Sequence, residues 1–419
     1  MRRSAISALL GLALAGTAYA EPGRLVIAGG AVSRDNAEIH RAFVERLGEQ
    51  GRVAVIPAAS GEPAQSAQSY IETLAAYGVS ADRIDIVRLA VMDDEDTPAT
   101  DERAWARNAT DPDEIAKIRS AAGIWFTGGD QVRITATLLS EDGAPTPMLT
   151  AIRARLADGA TVGGTSAGAA IMSSAMIARG DSLAALTEPL LNGDATESAM
   201  DGGALMLAPG LGFFRLGLVD QHFDRKARLG RLARALAEVP PPQRIGFGVD
   251  EDTALVVDLA ANAAFVAGVG GVTVLDARAA QVPAHSGRFA VTGIALSHLA
   301  TGDTINLADL VITPAQSRER IDPEDGYYSH VAQSGAGMAI PNDGLEDALG
   351  VELLDNRVSD RLERVSFGAN GQGVRYVFEE TPQSWGAYGD DPSGDGRYTI
   401  GAVAFSIEPV RVQVRRIGR

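Results

Sequence analysis

Apolar and polar positions alternate over most of the chain in two recurring patterns. Short runs rich in Val, Ile and Ala, such as RLVIA, RVAVI and GIWF, predict buried strands. Between them lie segments with apolar residues at helical spacing, such as NAEIHRAFVERLGEQG and DPDEIAKIRSAA, which predict helices. Continuous apolar strands alternating with amphipathic helices indicate an α/β fold, with a mostly parallel, doubly wound sheet and helices on both faces.

The pattern changes near residue 312. Beyond the polar stretch TPAQSRERIDPEDGYYSH come runs such as RVSFGANGQGVRYVFEE and YTIGAVAFSIEPVRVQVRR, whose alternation is typical of antiparallel strands. We therefore predict an α/β domain over residues 21–311 and a C-terminal β-rich accessory module over residues 312–419. If the module is independent, its removal should leave the α/β domain active on short substrates.

The N-terminal residues differ from both regions. The segment MRRSAISALLGLALAGTAYAEP combines two arginines, an apolar core and an A-x-A site at residues 18–20, which are the three parts of a signal peptide. We predict that residues 1–20 are removed and that the protein is exported, to the periplasm or outside the cell. A membrane anchor is not expected, because the apolar core is too short to span a bilayer.

The composition of the chain excludes several classes of reaction and ligand. The 419-residue chain has no cysteine, so a thiol nucleophile and a Cys-ligated metal are excluded. A net charge of −17 leaves no domain-wide basic face for nucleic acid. The segment AGGAV after the first strand lacks the full G-x-G-x-x-G of dinucleotide sites, and we expect neither a metal nor an organic cofactor. Serine chemistry remains open.

A single serine among small residues is the first candidate for that chemistry. Ser166 lies in GGTSAG after the predicted strand GATVGGT, and its surroundings fit the form G-x-S-x-G. Small neighbours suit a sharp strand-to-helix turn, where the backbone is strained and a substrate must reach Oγ. Ser166 is therefore a candidate nucleophile, with a plain tight turn as the alternative.

A serine nucleophile needs a base and a carboxylate that orients the base. The chain has five histidines: His40, His222, His285, His298 and His330. His222 is the strongest candidate, because it follows an apolar strand and precedes a helix in GLVDQHFDRKARLGRL. The segment GFGVDEDTALVV then offers Asp250, Glu251 and Asp252 directly after a strand, and spacing does not choose among them.

Two backbone N–H groups are also needed to bind an oxyanion. The N–H of Ala167, directly after the candidate nucleophile, and the glycine turn FTGGDQ with Gly128 and Gly129 meet that description. These residues follow predicted parallel strands, and α/β sheets place their sites at the carboxyl ends of such strands. Residue types alone thus assemble a complete set for serine acyl transfer.

Four segments carry a resemblance to a known family. FTGGDQVRI, GGTSAGAAIMS, GLGFFRLGLVDQHFDRKARLGRL and GFGVDEDTALVV occur in the order seen in serine peptidases of the peptidase S51 (dipeptidase E-like) family, and the third resembles its cyanophycinase-like members most. The resemblance covers about residues 24–310 and implies a class I glutamine amidotransferase-like fold. It also implies Ser166 as nucleophile, His222 as general base and Glu251 as the orienting acid.

The same resemblance implies further site residues and a substrate. Gly129 and Ala167 would form the oxyanion hole. The positions matching the family's substrate cleft are Gln131, Asp220, Gln221, Lys226, Arg228 and Arg231. The implied substrate is cyanophycin, a poly-aspartate that carries arginine on its side-chain carboxyls, with β-Asp-Arg dipeptides as products. A small β-aspartyl peptide substrate, or a non-catalytic binding role, is the alternative, and a homodimer is one open oligomeric state.

Cations cluster just after His222. We predict a basic helix that binds substrate carboxylates, with a solvated basic face as the alternative; its members are Arg225, Lys226, Arg228, Arg231 and Arg234. Within it, Lys226 and Ala227 stand where the family tends to have Arg and Gly. Lysine keeps the charge but loses bidentate recognition of carboxylates, which leaves the substrate preference open.

Overall fold

The computed structural model describes residues 22–94, 96–191, 202–283, 288–332, 335, 337–339 and 344–413. The predicted signal peptide and His285 lie outside these residues. Within them, none of the helices combines the length and the apolar character that crossing a bilayer requires. The described strands form two large sheets and one separate strand pair.

The first sheet contains the predicted parallel strands. Its members are β1 (Arg24–Ala28), β2 (Arg52–Ile56), β3 (Ile84–Ile86), β4 (Ala121–Phe126), β5 (Thr161–Thr165), β10 (Thr253–Asp258), β11 (Ala263–Gly268), β14 (Thr304–Asn306) and β15 (Ile312–Thr313). Their order across the sheet is β15-β14-β11-β10-β1-β5-β4-β2-β3. From β1 to β3 all pairs are parallel, and from β1 to β15 all are antiparallel. The α/β prediction is therefore confirmed.

Helices cover the parallel half of this sheet. They are α1 (Ala37–Val44), α2 (Pro63–Ala76), α3 (Pro112–Ser120), α4 (Gln131–Leu138), α5 (Pro147–Ala157) and α6 (Ala167–Ala170). The side chains of Asn36, Asp111, Asp130 and Thr146 accept hydrogen bonds from the first turns of α1, α3, α4 and α5, which sets where these helices begin. All residues of β1 are buried, because helices pack on both of its faces.

The second sheet is mostly antiparallel. Its members are β8 (Leu218–Asp220), β9 (Ile245–Val249), β12 (Gly271–Asp276), β13 (Val291–Ala300), β16 (Glu319–Arg320), β17 (Arg361–Phe367), β18 (Gln372–Glu379), β19 (Trp385–Asp390) and β20 (Gly396–Arg411). Their order is β16-β19-β20-β13-β12-β9-β8, and the β17–β18 hairpin joins through β18 to β20. Strands β6 (Ala175–Arg179) and β7 (Met206–Pro209) pair separately.

The remaining helices lie around the second sheet. They are α7 (Ser182–Thr187), α8 (Leu229–Glu238) and α9 (Leu345–Leu349). Short 3₁₀ helices cover Ala81–Arg83, Glu102–Thr110, Pro241–Gln243 and Pro323–Asp325, and a π-helical turn covers Gly350–Leu354. Leu229, Leu232 and Leu236 of α8 recur at helical spacing and are all buried.

The tail is β-rich as predicted, and it pairs with the preceding region. Strand β20 pairs with β13 of the preceding region, with Val291 opposite Ile407 and His298 opposite Ile400. One buried apolar cluster contains side chains from both regions, among them Leu232 of α8 and Phe405 of β20. The tail therefore shares a sheet and an apolar cluster with the preceding region, and the boundary between residues 311 and 312 stays a prediction. Strand β20 of the tail pairs with β13, so that edge of β13 does not expose unpaired backbone N–H and C=O groups.

A buried ion pair also joins the tail to the first region. The guanidinium of Arg318 bonds to the carboxylate of Asp303, and neither side chain is exposed. Thr399 of β20 donates from Oγ1 to Asp303 Oδ2 over 2.6 Å, and Arg318 donates to the carbonyl of Thr301 over 2.7 Å. Because a buried charge without its partner is costly, this cluster ties the start of the tail, β20 and the β13–β14 turn together.

Candidate active site

Ser166 occupies a sharp turn between β5 and α6. Its backbone angles are φ 54° and ψ −109°, a region that residues other than glycine rarely adopt. A Cβ on Gly164 would lie 2.7 Å from the carbonyl oxygen of Gly168, and one on Gly168 would lie 2.7 Å from that of Phe126. The small residues around Ser166 therefore allow the turn to pack directly against β4.

The side chains of Ser166, His222 and Glu251 form a continuous line of hydrogen bonds. Ser166 Oγ lies 2.8 Å from His222 Nε2, and His222 Nδ1 lies 2.6 Å from Glu251 Oε1. An ionised carboxylate only accepts, so Nδ1 carries the proton and Nε2 accepts from the serine hydroxyl. This is the arrangement in which an imidazole can remove a proton from serine.

The surroundings of His222 favour its neutral form. Burial lowers the pKa of His222, the hydrogen bond to Glu251 opposes this, and the charges of Lys226 and Arg228 lower the pKa further. A base with a pKa below its ordinary value is unprotonated at neutral pH. The imidazole is therefore ready to accept the serine proton.

A glycine pair after β1 holds the histidine and the acidic turn in place. The carbonyl oxygen of Gly29 accepts from His222 N over 2.7 Å, and that of Gly30 accepts from Asp252 N over 2.8 Å. A Cβ on Gly30 would lie 2.3 Å from the imidazole of His222. Sequence reasoning missed this role, although the segment AGGAV at the end of a predicted strand was the available signal.

The two acids beside Glu251 have other partners. Asp250 accepts from Asp224 N over 3.1 Å and from Gly271 N over 2.9 Å, so it holds the segment after His222 to the acidic turn. Asp252 accepts from Ser33 N over 2.8 Å. Of the three, the imidazole contact belongs to Glu251. Within the described ranges no group of three or more His, Asp or Glu side chains is arranged to hold a metal ion.

Both expected oxyanion donors flank Ser166. Ala167 is the first residue of α6. Gly129 has φ 138°, and a Cβ there would lie 2.1 Å from the carbonyl oxygen of Ala59, so only glycine fits this turn. A Cβ on Gly128 would lie 3.5 Å from Ser166 Cβ, which places the glycine turn against the serine. Their role in binding an oxyanion stays a prediction.

Gln131 lies at the start of α4. Its side chain is buried, and Nε2 donates to the carbonyl oxygens of Ile177, over 3.1 Å, and Ala178, over 2.7 Å. These bonds tie the start of α4 to β6. The amide donor is thus used by the backbone, and the predicted contact of Gln131 with substrate stays a prediction.

Arg231 and Asp220 form a buried pair. Arg231 is 2% exposed, its Nε lies 2.8 Å and its Nη2 2.5 Å from the two carboxylate oxygens of Asp220, and its Nη1 donates to Gly180 O over 2.6 Å. Although burial opposes it, the Arg231 guanidinium holds the pKa of Asp220 below its ordinary value. The guanidinium is engaged by Asp220 and Gly180 in this structure, and the substrate contacts of Arg231 and Asp220 stay a prediction.

The predicted basic helix is corrected. Helix α8 begins at Leu229, so Arg225, Lys226 and Arg228 precede it in turns. Arg228 is buried and donates from Nη1 to Gln221 Oε1 over 2.8 Å and to the Gln221 carbonyl, and the substrate roles of these two residues stay a prediction. Lys226 is half-buried, and its substrate role stays a prediction.

The other described histidines lie away from Ser166. His40 is buried in α1, and its Nε2 lies 2.9 Å from the carbonyl oxygen of Ser33. His298 is buried in β13, and His330 pairs with Glu352 over 3.2 Å. The geometry thus joins His222 to Ser166, as the sequence predicts.

Comparisons with known proteins show which proteins this chain is similar to. The model for peptidase family S51 matches residues 104–261, which include Ser166, His222 and Glu251. The cyanophycinase of Trichormus variabilis is 32% identical over 302 residues, which span 70% of this chain and 88% of the relative. That of Geminocystis herdmanii is 32% identical over 67% of this chain and 90% of the relative.

A solved structure is also similar. The crystal structure of a peptidase from an acI-B1 Actinobacterium matches 69% of this chain and 98% of its own, with 21% identity and a TM-score of 0.44. From the sequence relatives, this chain belongs to peptidase family S51. It is a serine-type peptidase, similar to cyanophycinases.

Proposed function

We propose that this protein is an exported serine exopeptidase that hydrolyses cyanophycin, multi-L-arginyl-poly-L-aspartate, to β-Asp-Arg dipeptides. The observation that carries the proposal is the hydrogen-bonded line from Ser166 Oγ through His222 to Glu251. It lies in a chain whose relatives at 32% identity are cyanophycinases. The substrate comes from these relatives, and the chemistry comes from the side chains.

The proposed reaction passes through an acyl-enzyme. His222 Nε2 removes the proton of Ser166 as Oγ attacks the carbonyl carbon of the scissile amide. The N–H groups of Gly129 and Ala167 stabilise the negative charge that develops on the carbonyl oxygen. His222 then gives the proton to the leaving amine, and the carbon–nitrogen bond breaks. Glu251 holds the imidazole in its tautomer and stabilises the imidazolium in each step.

Water completes the cycle. His222 removes a proton from a water molecule, whose oxygen attacks the acyl carbon. The bond to Ser166 Oγ breaks, and the serine oxygen regains its proton from the imidazolium. The strained turn at Ser166 supports this chemistry, because it presents Oγ to His222 beside the glycine turn at Gly129.

Export is the second part of the proposal. It rests on the three parts of a signal peptide in residues 1–20. Cells that produce the protein should yield a mature form starting near Glu21 in the periplasm or the medium. Sequencing of the N-terminus in each fraction tests this, and a full-length protein in the cytoplasm would contradict it.

Product identification tests the activity. The purified protein is incubated with insoluble cyanophycin, and soluble products are identified by mass spectrometry, with Ser166→Ala and the exposed Ser80→Ala as matched variants. We expect β-Asp-Arg from the wild type and from Ser80→Ala, and none from Ser166→Ala. Cleavage of small β-aspartyl peptides without release from cyanophycin would favour the small-peptide alternative. Absence of any hydrolysis would favour a binding protein.

A further inference from the structure

We propose that the tail forms part of a second binding site beside Glu251, which holds an arginine-bearing, zwitterionic unit of the substrate outside the scissile bond. The proposal rests on the proposed function and names a specificity element for it. The site is a cavity of about 490 Å³, lined by residues of both the α/β region and the tail. The sequence resemblance to the family does not extend over the tail.

The cavity joins the catalytic segment to the tail. On one side it is lined by Asp224 and Arg225, which follow His222, and by Glu251. On the other it is lined by Asp347 of α9 and by Asp395, which directly precedes β20. A substrate chain extending from Ser166 past the Glu251 side would therefore meet side chains of the tail.

One tail acid of the cavity is held in place. Glu346 Oε2 lies 2.7 Å from Arg397 Nη2, and Glu346 Oε1 accepts from Tyr398 N over 2.7 Å. Asp347 and Asp395 are exposed at the same cavity, next to this fixed group. Carboxylates in such a position suit a guanidinium, which offers planar pairs of N–H donors to carboxylate oxygens.

A buried histidine supplies a second kind of contact. His298 lines the cavity and is 3% exposed, yet its Nε2 has no hydrogen-bond partner. The nearest carboxylate oxygen, Glu346 Oε2, lies 3.7 Å away, which is beyond hydrogen-bonding distance. Thr273 Oγ1 lies 3.2 Å from His298 Nδ1, so the hydroxyl can donate there and leave the ring proton on Nε2. Although burial opposes it, Glu346 and Asp250 raise the pKa of His298. Its free N–H would suit a carbonyl or carboxylate oxygen of a ligand.

The two contacts together define the ligand. Acids at the rim suit a cation, and the His298 N–H with the nearby Arg225 suits an acceptor or an anion. A pair of linked residues that carries both a guanidinium and a carboxyl or amide oxygen can bind to the carboxylates and to the His298 N–H at once. An aspartyl-arginine unit has these groups, whereas a neutral or purely acidic peptide lacks the cation.

The test measures binding of matched ligands to the uncleaving protein. The ligands are a short β-Asp-Arg oligomer and the same oligomer with citrulline, the neutral isostere of arginine. Dissociation constants are measured by calorimetry on the full chain with Ser166→Ala, with and without Asp347→Asn and Asp395→Asn. The control pair is Glu324→Gln and Asp325→Asn, which removes the same charge from exposed tail positions outside the lining.

We expect the Asp347→Asn and Asp395→Asn pair to raise the dissociation constant of the arginine oligomer about fivefold to tenfold, as loss of two exposed ion pairs implies. Citrulline binding and the control pair should change less than about twofold. Equal losses for both ligands, or no loss, would overturn the proposed site. If the wild type neither binds nor cleaves the arginine oligomer, the proposed function fails instead, so the two failures are distinguishable.

Discussion

Two buried arginine–aspartate pairs in this protein have the same chemistry but serve different regions. Asp220 ends β8, two residues before His222, and it pairs with Arg231 of α8. Arg318 and Asp303 join the tail to the β13–β14 turn. In both pairs the side chains are almost fully buried. The segment that carries His222 and the tail are thus each anchored by an internal ion pair. The same pair of residue types has two different roles, so the type of a charged residue does not by itself indicate its role.

The largest expected effect belongs to neither pair. Ser166→Ala removes the hydroxyl that is hydrogen-bonded to His222, and we expect kcat/KM to fall on the order of 10⁴-fold or more. The turn itself should persist, because alanine is smaller than serine. Hydrolysis assays combined with circular dichroism and urea unfolding measure both. Substantial residual activity would remove Ser166 from the mechanism.

A smaller loss is expected at the orienting acid. Glu251→Gln keeps the size of the side chain but can favour the wrong imidazole tautomer, so kcat should fall about 10²- to 10⁴-fold. Asp252→Asn is the matched control, because asparagine Oδ1 still accepts from Ser33 N, and we expect less than a tenfold loss. A larger effect at Asp252 than at Glu251 would contradict the assignment of the orienting acid.

Substituting the arginine of each ion pair distinguishes the roles of the two pairs. Arg318→Met and Arg231→Met each leave a buried carboxylate without its partner, which should lower the free energy of unfolding by about 3–5 kcal/mol. At a temperature where both variants are folded, Arg231→Met should also lose activity, since Asp220 precedes the histidine segment. Arg318→Met should keep kcat/KM within about threefold of wild type, as expected of a stabilising pair remote from His222.

Urea unfolding and initial rates at low temperature distinguish these outcomes. The exposed Arg34, paired with Glu72 over 3.4 Å, serves as the control, and its substitution by Met should change the free energy of unfolding by less than about 1 kcal/mol. Equal effects of Arg231→Met and Arg318→Met on kcat/KM would contradict the claim that the Arg231 pair supports the His222 segment and the Arg318 pair only stabilises the fold.

The smallest effect concerns pH. His222 must be neutral to act as a base, so kcat/KM should rise with pH through a pKa below the ordinary histidine value and fall when the pH drops below it. Lys226 lowers that pKa, so Lys226→Met should raise the pKa and move the acid limb of the profile to higher pH. Repeating the profile at high salt should shrink the difference between the two proteins. A shift to lower pH would contradict the electrostatic argument.

The sequence predicted the local elements of the first sheet well. Its parallel strands are continuous apolar runs, and the small residues around Ser166 matched the turn they form. The histidine was also identifiable, because it follows a strand whose apolar residues were visible. The choice of Glu251 required the family resemblance, since three acids follow β9 and only the three-dimensional position of the imidazole separates them.

The second sheet was predicted less well for a physical reason. Pairing of β20 with β13 brings together residues more than a hundred positions apart, and alternation of apolar residues gives no information on the partner strand. The burial of Arg231 was missed because its partner Asp220 lies on another element, while local spacing showed only a basic segment. The role of Gly29 and Gly30 was missed for the same reason, because the sequence does not show that Gly30 packs against the imidazole of His222.

The central claim is that His222 activates Ser166 as the nucleophile. The most direct measurement is labelling by a fluorophosphonate, followed by mass mapping of the modified peptide and by labelling rates in wild type, Ser166→Ala and His222→Ala. The account predicts one adduct on Ser166 in the wild type, none there in Ser166→Ala, and labelling slowed on the order of 10³-fold or more in His222→Ala. An adduct on another residue, or equally fast labelling without His222, would contradict it.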